Sequence, residues 1–252
     1  MIRLDKVTKK FGASTFALSD ISFSIDKGEF VFLVGSTGSG KTTILRLLIR
    51  DILPTEGSIV VNEWDIVKLP KEKLSKLRKN IGVIFQDLKL LMDRTVLENV
   101  VLPLEVSGLK QEESLKIVED VLNQVGLGAH KEKFPAQLSG GELQRVAIAR
   151  SLVLSPEIIL ADEPTGNLDQ ATSWEIVKIL SDINKKGTTV IMATHNEDII
   201  KSMKKRVVHI EKGKILKDSS LSHKDAEDQG KKDPEKNKEE KEEKNPEEKE
   251  KK

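Results

Sequence analysis

A glycine-rich segment near the N-terminus has the residue types and spacing of a phosphate-binding loop. It reads Gly35-Ser36-Thr37-Gly38-Ser39-Gly40-Lys41-Thr42 and is followed by Thr43, matching G-x-x-x-x-G-K-[ST]. Glycines lack a Cβ atom, so backbone N–H groups can curl around phosphate oxygens. Lys41 would place a positive charge at the β- and γ-phosphates, and the Thr42 hydroxyl is a ligand type for Mg²⁺. A glycine-rich turn that merely starts a helix would leave Lys41 unexplained.

Two adjacent carboxylates, Asp162 and Glu163, directly follow the apolar run at residues 158–161. In open α/β folds, ligands bind at the carboxyl ends of the strands. Beside a phosphate-binding loop, Asp162 is expected to hold Mg²⁺ and Glu163 to polarise the attacking water. Solvated loop acids are the alternative, which the preceding phosphate-loop match disfavours.

The hydrophobic pattern indicates the elements that must position these residues. Apolar runs at 30–34, 158–161 and 189–193 alternate with helical patterns at 42–52, 142–154 and 171–184. Buried strands alternating with helices predict an α/β fold whose parallel sheet is covered on both faces.

The remaining segments predict additions to this core. Strand patterns at 2–8 and 17–25 open the chain, and a strand pair at 206–210 and 214–216 closes its body. Residues from about 87 to 134, including the helical pattern at 112–125, predict an inserted helical subdomain.

The overall composition excludes several classes of function. The 252 residues contain 42 Lys+Arg and 41 Asp+Glu, a balance that gives no reason to expect nucleic-acid binding. The absence of cysteine excludes disulfides, thiolate nucleophiles and Cys-ligated zinc. No apolar run approaches the roughly 20 residues of a membrane-spanning helix. Acid and base among the first six residues lead us to expect no secretory signal.

The composition changes sharply after Asp218. The last 34 residues contain 10 Lys and 12 Asp+Glu but almost nothing apolar. Burial in such a segment cannot offset the entropy cost of ordering it. The sequence therefore predicts a nucleotide-binding domain at residues 1–217 and a charged, disordered tail at 218–252.

The segment Leu138-Ser139-Gly140-Gly141-Glu142-Leu143-Gln144-Arg145 resembles the signature of ATP-binding cassette (ABC) ATPases. Other family motifs follow the family order: Gln86 resembles the Q-loop glutamine at the Mg²⁺ and water site, Asp169 lies in the D-loop motif, and His195 resembles the switch histidine. Phe11 stands where an aromatic residue stacks on adenine. The resemblance covers residues 1 to about 217 and implies a P-loop (RecA-like) core with an antiparallel β subdomain and a helical ABC subdomain.

Each of these residues also has a simpler interpretation. Ser139 and Glu142 form an S-x-x-E capping box, and Asp169 is a typical N-cap for the next helix. Taken alone, Gln86 would be a surface amide, His195 a loop residue and Phe11 a core residue. The ordered set of motifs favours the site. Glu142 also stands where many cassettes have Gln.

The resemblance also implies partners. The signature of one ABC subunit completes the phosphate loop of another, so one copy of each motif predicts a homodimer that binds ATP and Mg²⁺. The segment 160–169 is similar to the branch that includes FtsE, LolD and MacB. Within that branch, the segment 85–96 looks like that of FtsE, which implies an FtsX-like membrane partner, an indirect link to peptidoglycan hydrolases and a peripheral location on the cytoplasmic face of the membrane. A lipoprotein or macrolide exporter ATPase of the LolD or MacB type is the alternative.

Overall fold

The structure, a computed structural model, describes residues 1–12 and 15–219. Ten strands occur in chain order: β1 (Ile2–Phe11), β2 (Thr15–Ile25), β3 (Phe30–Val34), β4 (Glu56–Val61), β5 (Trp64–Asp65), β6 (Ile81–Ile84), β7 (Ile158–Asp162), β8 (Thr189–Thr194), β9 (Arg206–Glu211) and β10 (Lys214–Asp218). The α-helices are α1 (Lys41–Leu48), α2 (Leu74–Lys79), α3 (Val96–Ser107), α4 (Gln111–Gln124), α5 (Gly140–Leu152), α6 (Gln170–Lys185) and α7 (Glu197–Met203).

The strands form two sheets. A six-stranded sheet has the order β10-β9-β3-β8-β7-β6, and all its pairings are parallel except β9 with β10. A four-stranded antiparallel sheet has the order β2-β1-β4-β5. The predicted fold class is confirmed.

Side chains that alternate along β3 enter two separate cores, as expected for a strand buried on both faces. Val31 and Leu33 pack with α1 and with the antiparallel sheet. Phe30 and Phe32 pack in the second core, to which α3, α4, α5 and α6 contribute. The parallel sheet is therefore covered on both faces, and the carboxyl ends of its strands remain available for a site.

Some predicted boundaries are corrected. The first helix ends at Leu48 rather than at 52, because Arg50 adopts a left-handed conformation (φ 51°) and the Asp51 N–H bonds back to Arg46 O. The helix predicted at 142–154 begins at Gly140, directly after its Ser139 cap. The hydrophobic pattern also missed β4, β5 and β6, which are too short or too polar to stand out.

The chain divides into a unit at Met1–Asp218 and a second at Ser219–Lys252. The predicted disordered tail lies almost entirely outside the described residues, and the domain boundary at 217 stays a prediction. In the described part of the chain, no helix has the length and apolar character required to cross a membrane.

The turn between β9 and β10 joins both sheets. The Gly213 N–H donates to Ser39 O in the glycine-rich loop (3.0 Å), and Gly213 O accepts from the Ser19 N–H (2.8 Å). Gly213 has φ 74°, and a Cβ there would lie 2.7 Å from Ala17 O. The residue directly before β10 therefore supports the loop that follows β3.

Candidate active site

The glycine-rich loop connects β3 to α1 and requires glycine at two positions. Gly35 has φ 155°, and a Cβ on it would lie 2.6 Å from Ser39 Oγ; Gly40 has φ 115°, and a Cβ on it would lie 2.6 Å from Leu18. Gly40 is the N-cap of α1, with no side-chain capping bond and no acidic residue in the first helical turn. The first N–H groups of α1 can therefore face an anion.

Lys41 lies inside this loop and is 6% exposed. Its Nζ atom donates to Gly35 O (2.7 Å) and Ser36 O (3.2 Å) and lies 3.5 Å from Glu163 Oε1. An ammonium group buried this deeply needs such acceptors. The same charge is available to a phosphate bound in the loop.

Glu163 follows β7 and adopts a left-handed conformation (φ 46°), with its N–H bonded to Ala193 O. One carboxylate oxygen faces Lys41, and the other lies 3.0 Å from His195 Nδ1. The Glu163 carboxylate therefore lies between the Lys41 ammonium and the His195 imidazole. A carboxylate held in this way is suitable as a general base for water.

Asp162 is the last residue of β7 and is 8% exposed. Burial raises the pKa of its carboxyl group; the Thr42 side chain hydrogen-bonds to it and opposes this shift, while nearby Glu163 adds to it. Within the described residues, its buried Oδ1 atom has no hydrogen-bond partner. A carboxylate oxygen without a partner beside a threonine hydroxyl fits the oxygen ligands that Mg²⁺ prefers.

The glycine-rich loop, Lys41 and Glu163 line one pocket of about 220 Å³, whereas Asp162 lines a larger pocket beside it. The residues that line the smaller pocket are Ala17, Thr37, Gly38, Gly40, Lys41, Thr42, Thr43, Gln86, Glu163, Gly166, Asn167 and His195. The structure thus brings Gln86, Glu163 and His195 to the glycine-rich loop. Ala17, Gly166 and Asn167 were not predicted as site residues, although 166 and 167 belong to the recognised D-loop motif.

The signature residues do not line this pocket. Ser139 caps α5: the Glu142 N–H donates to Ser139 Oγ (3.3 Å), while Ser139 N and Oγ both donate to Glu142 Oε2 (2.7 Å each). Bonds from the Ser139 hydroxyl and backbone hold the pKa of Glu142 below its usual value. The capping-box interpretation is confirmed, and it leaves Gly140 and Gly141 in the first turn of α5.

Asp169 also caps a helix and lies outside the pocket. Its Oδ1 atom accepts from the Thr172 N–H (2.9 Å) and its Oδ2 atom from the Thr172 hydroxyl (2.5 Å), which lowers the pKa of Asp169. The N-cap interpretation is confirmed. Thr172 in turn lies against Gly141, where a Cβ would overlap the Thr172 methyl group.

Phe11 lies at the end of β1 and is 43% exposed, so its interpretation as a core residue is wrong. The Lys9 ammonium lies 5.1 Å from the centre of its ring. An exposed aromatic face of this kind suits stacking.

A second, larger pocket of about 1070 Å³ adjoins the first. Thr42, Gln86 and Asp162 lie along its wall, and Leu102 and Pro103 of α3 also line it. We call this pocket the groove. The nearby loop 91–95 depends on the fully buried Asn99, whose side chain bonds to Leu91 N and to the carbonyls of Leu91, Arg94 and Thr95.

Comparisons with known proteins agree with this geometry. The family model for ABC transporters matches residues 18–166. Cell division ATP-binding protein FtsE of Bacillus subtilis is 48% identical over 87% of this chain and 96% of its own length. FtsE of Mycobacterium tuberculosis is 49% identical over 86% of this chain and 95% of its own length. FtsE of Escherichia coli is 42% identical over 85% of this chain and 97% of its own length.

Solved structures give the same result. The ATP-binding cassette MJ0796, a dimer in a post-hydrolysis state bound to ADP and phosphate, has a TM-score of 0.79 and 36% identity, covering 86% of this chain and 97% of that chain. CbiO1 of Clostridium perfringens, part of the ABC transporter complex CbiONQ, has a TM-score of 0.80 and 28% identity, covering 90% of this chain and 93% of that chain.

Proposed function

The chain belongs to the ABC transporter family as an FtsE-related, ATP-hydrolysing cassette, and we propose that it works in a cell-division complex of the FtsEX type. Two copies close on two ATP molecules, and hydrolysis drives an FtsX-like polytopic membrane protein that regulates peptidoglycan hydrolases. The chain then works at the cytoplasmic face of the membrane and transmits a mechanical signal. FtsE relatives at 42–49% identity over almost their full lengths support this proposal.

The position of Glu163 between Lys41 and His195 is the observation that carries the chemistry. When ATP enters the loop, Lys41 turns its charge towards the β- and γ-phosphates. Glu163 then accepts a proton from the attacking water, while His195 holds the carboxylate and senses the γ-phosphate. Gln86, which lines the same pocket, orients the water.

Mg²⁺ fits the oxygen ligands of Thr42, Asp162 and Gln86. When bound there, it neutralises charge that develops on the phosphate oxygens. The partnerless Oδ1 atom of Asp162 supports this assignment. The phosphate contacts themselves come from residues 35–43, and Phe11 stacks on the adenine.

The site needs a second copy of the chain. Ser139, Gly140, Gly141, Glu142 and Asp169 all lie outside the pocket of their own chain. They contact the ATP held by the other copy, where the first turn of α5 offers N–H groups to the γ-phosphate. The dimeric MJ0796 cassette supports this arrangement.

The groove is the place where the membrane partner docks. Its wall includes Gln86 and Asp162, so a segment inserted there would reach residues of the nucleotide site. Met92 in the loop 91–95 and Val106 on α3 are exposed apolar side chains that offer further contact area. Docking in the groove would thereby link the membrane protein to ATP hydrolysis.

Affinity capture with a trapped variant tests the proposal. Tagged Glu163→Gln protein with Mg-ATP is captured from native membranes, and the integral proteins that accompany it are identified by mass spectrometry. The matched control is the double variant Glu163→Gln/Lys41→Ala, which lacks the phosphate-binding charge.

We expect an FtsX-like protein together with peptidoglycan-hydrolase components, and only with the single variant. A permease accompanied by lipoproteins or by an exporter adaptor would establish the exporter function instead. If no integral membrane protein distinguishes the single variant from the control, the proposed membrane coupling is wrong.

A further inference from the structure

The turn after Gln86 has an unfavourable backbone conformation. Leu88 and Lys89 both have positive φ angles, 56° and 51°, and they are the one pair of adjacent non-glycine residues with this property in residues 1–12 and 15–219. A Cβ atom crowds the backbone in this region of φ. Two such residues in succession require an external group that holds them.

Arg150, on α5, supplies that group. Its Nη2 atom donates to Leu88 O (2.5 Å), and its Nη1 atom donates to Lys89 O (2.6 Å). The guanidinium is largely withdrawn from water, which lowers the pKa of Arg150. No carboxylate in the described part of the chain forms an ion pair with it, so the two carbonyl groups are its compensation for lost hydration.

The position of Arg150 on α5 gives these two bonds a functional meaning. The first turn of α5 carries the signature residues, and Arg150 lies in its last turn. The turn that Arg150 holds begins two residues after Gln86, and Arg150 itself lines the groove. One rigid helix therefore connects the signature, the Gln86 loop and the groove.

We infer that Arg150 is a positioning residue: it holds the Leu88–Lys89 turn so that Gln86 points into the nucleotide pocket. This inference rests on the role proposed above for Gln86. Movement of α5 during dimer closure would be transmitted through Arg150 to Gln86.

The first test separates turnover from ATP binding. Arg150→Met keeps an extended apolar stem, and Arg150→Lys keeps the charge but cannot donate to both carbonyls in the fixed geometry of a guanidinium. In the full-length chain, both variants should lower kcat about ten-fold and leave KM for ATP within about two-fold, because a misplaced group affects mainly the reacting geometry. An unchanged kcat in both variants would overturn the inference.

The second test is rescue by glycine. Glycine adopts positive φ without steric cost, so the turn no longer depends on Arg150 in a Leu88→Gly/Lys89→Gly background. There, Arg150→Met should lower kcat by less than about three-fold. If the loss of kcat stays the same in that background, Arg150 acts through general packing and the inference fails.

A double-mutant cycle with Gln86→Ala distinguishes this inference from the proposed role of Gln86. If Gln86→Ala alone leaves kcat unchanged, the role of Gln86 is wrong. If Gln86→Ala lowers kcat and Arg150→Met lowers it further by the full factor, the role of Gln86 stands and the inference about Arg150 fails. We expect Arg150→Met to have almost no effect once Gln86 is removed.

Arg78 provides a matched control that does not depend on activity. It donates to Ile49 O and Arg50 O, and Arg50 also has a positive φ. Amide hydrogen exchange should accelerate at residues 86–90 in Arg150→Met and remain unchanged there in Arg78→Met. Equal exchange at 86–90 in the Arg150 variant and the unmodified chain would contradict the positioning role.

Discussion

In the proposed mechanism, the N-termini of α1 and α5 both face phosphate groups. Their capping differs: the N-terminus of α1 has no side-chain cap, whereas that of α5 has a complete capping box. Gly40 caps α1 without a side-chain bond, and the first turn of α1 contains Lys41 and no acid. The N-terminus of α5 is capped by Ser139 and Glu142, which form reciprocal hydrogen bonds with each other. Both termini carry the same partial positive charge of a helix N-terminus.

The difference shows how each end will accept an anion. At α1 the N–H groups and the Lys41 charge are available, so phosphate binding displaces no side-chain cap. At α5 the carboxylate of Glu142 already occupies the favourable field, with His130 Nδ1 3.2 Å from its Oε1 atom. A phosphate that reaches α5 must therefore share this end with a negative charge, which makes dimer closure the more finely balanced step.

Removal of the Lys41 charge at the start of α1 should have the largest effect, a loss of ATP affinity. In Lys41→Ala, ATP affinity should fall roughly 10- to 100-fold, the factor that corresponds to a lost charged hydrogen bond of about 1.5–3 kcal/mol. Titration calorimetry measures this affinity, and Lys178→Ala on the exposed face of α6 is the control. A change below about three-fold would show that α1 does not hold the phosphates.

Steric crowding at the α5 end should have the next largest effect. In Gly141→Ala the new Cβ overlaps the Thr172 methyl group, so ATP-dependent dimerisation should weaken roughly ten-fold through overpacking. Sedimentation in a Glu163→Gln background measures the dimer. Adding Thr172→Ser removes that methyl group and keeps the hydroxyl bonded to Asp169, so dimerisation should recover. Failure to recover would mean that crowding by Thr172 is not the cause.

Removal of the Asp162 charge, close to the start of α1, should stabilise the nucleotide-free chain. The pKa of Asp162 is raised by burial, so its ionised form destabilises the folded state increasingly as pH rises through that pKa. Asp162→Asn should therefore raise Tm by about 2–4 °C at pH 7, as expected for roughly 1 kcal/mol.

Thermal unfolding across a pH series checks this sign. The advantage of Asp162→Asn should disappear below the ordinary Asp pKa of 3.8, where the native carboxyl is protonated in both states. Mg-ATP should stabilise the original chain more than the variant, which has lost a carboxylate ligand. A lower Tm for Asp162→Asn at pH 7 without nucleotide would contradict the prediction.

Removal of the Glu142 charge at the start of α5 should have the smallest effect, and it should strengthen dimerisation rather than weaken it. Glu142→Gln retains a capping residue but removes the anion, so ATP-dependent dimerisation should tighten about two- to five-fold. Because the pKa of Glu142 is lowered, the carboxylate stays ionised at neutral pH, and the gain should be constant from pH 6.5 to 8. Glu98→Gln is the matched control, since Thr95 and Glu98 form the same capping box on α3. Equal tightening in both variants would exclude a local effect of Glu142.

Much of the site could be predicted because its signals are local in sequence. The loop at 35–42 follows an apolar strand and precedes a helix, and S-x-x-E at 139–142 specifies its own cap. Glu163 was predicted from its position after an apolar strand beside a phosphate loop, whereas Gln86 and His195 came from the family resemblance. Their convergence in one pocket follows from parallel strands that end at the same edge of the sheet.

The residues that sequence reasoning missed interact over long distances. Arg150 lies 62 residues from Leu88, and nothing in either local pattern indicates their hydrogen bond. The left-handed turn at Leu88 and Lys89 lacks the glycine that usually marks such a conformation. For β4, the polar start at Glu56 hid a strand that tertiary pairing with β1 stabilises.

The bond between Gly213 and Ser39 has a consequence for how the protein is made. The two residues are 174 positions apart, and the turn that contains Gly213 follows β9, the strand that pairs with β3. During synthesis the glycine-rich loop appears early, but its supporting contact arrives almost at the end of the compact unit. We therefore expect a growing chain to acquire nucleotide binding late, so that partly synthesised cassettes cannot sequester ATP or form unproductive dimers.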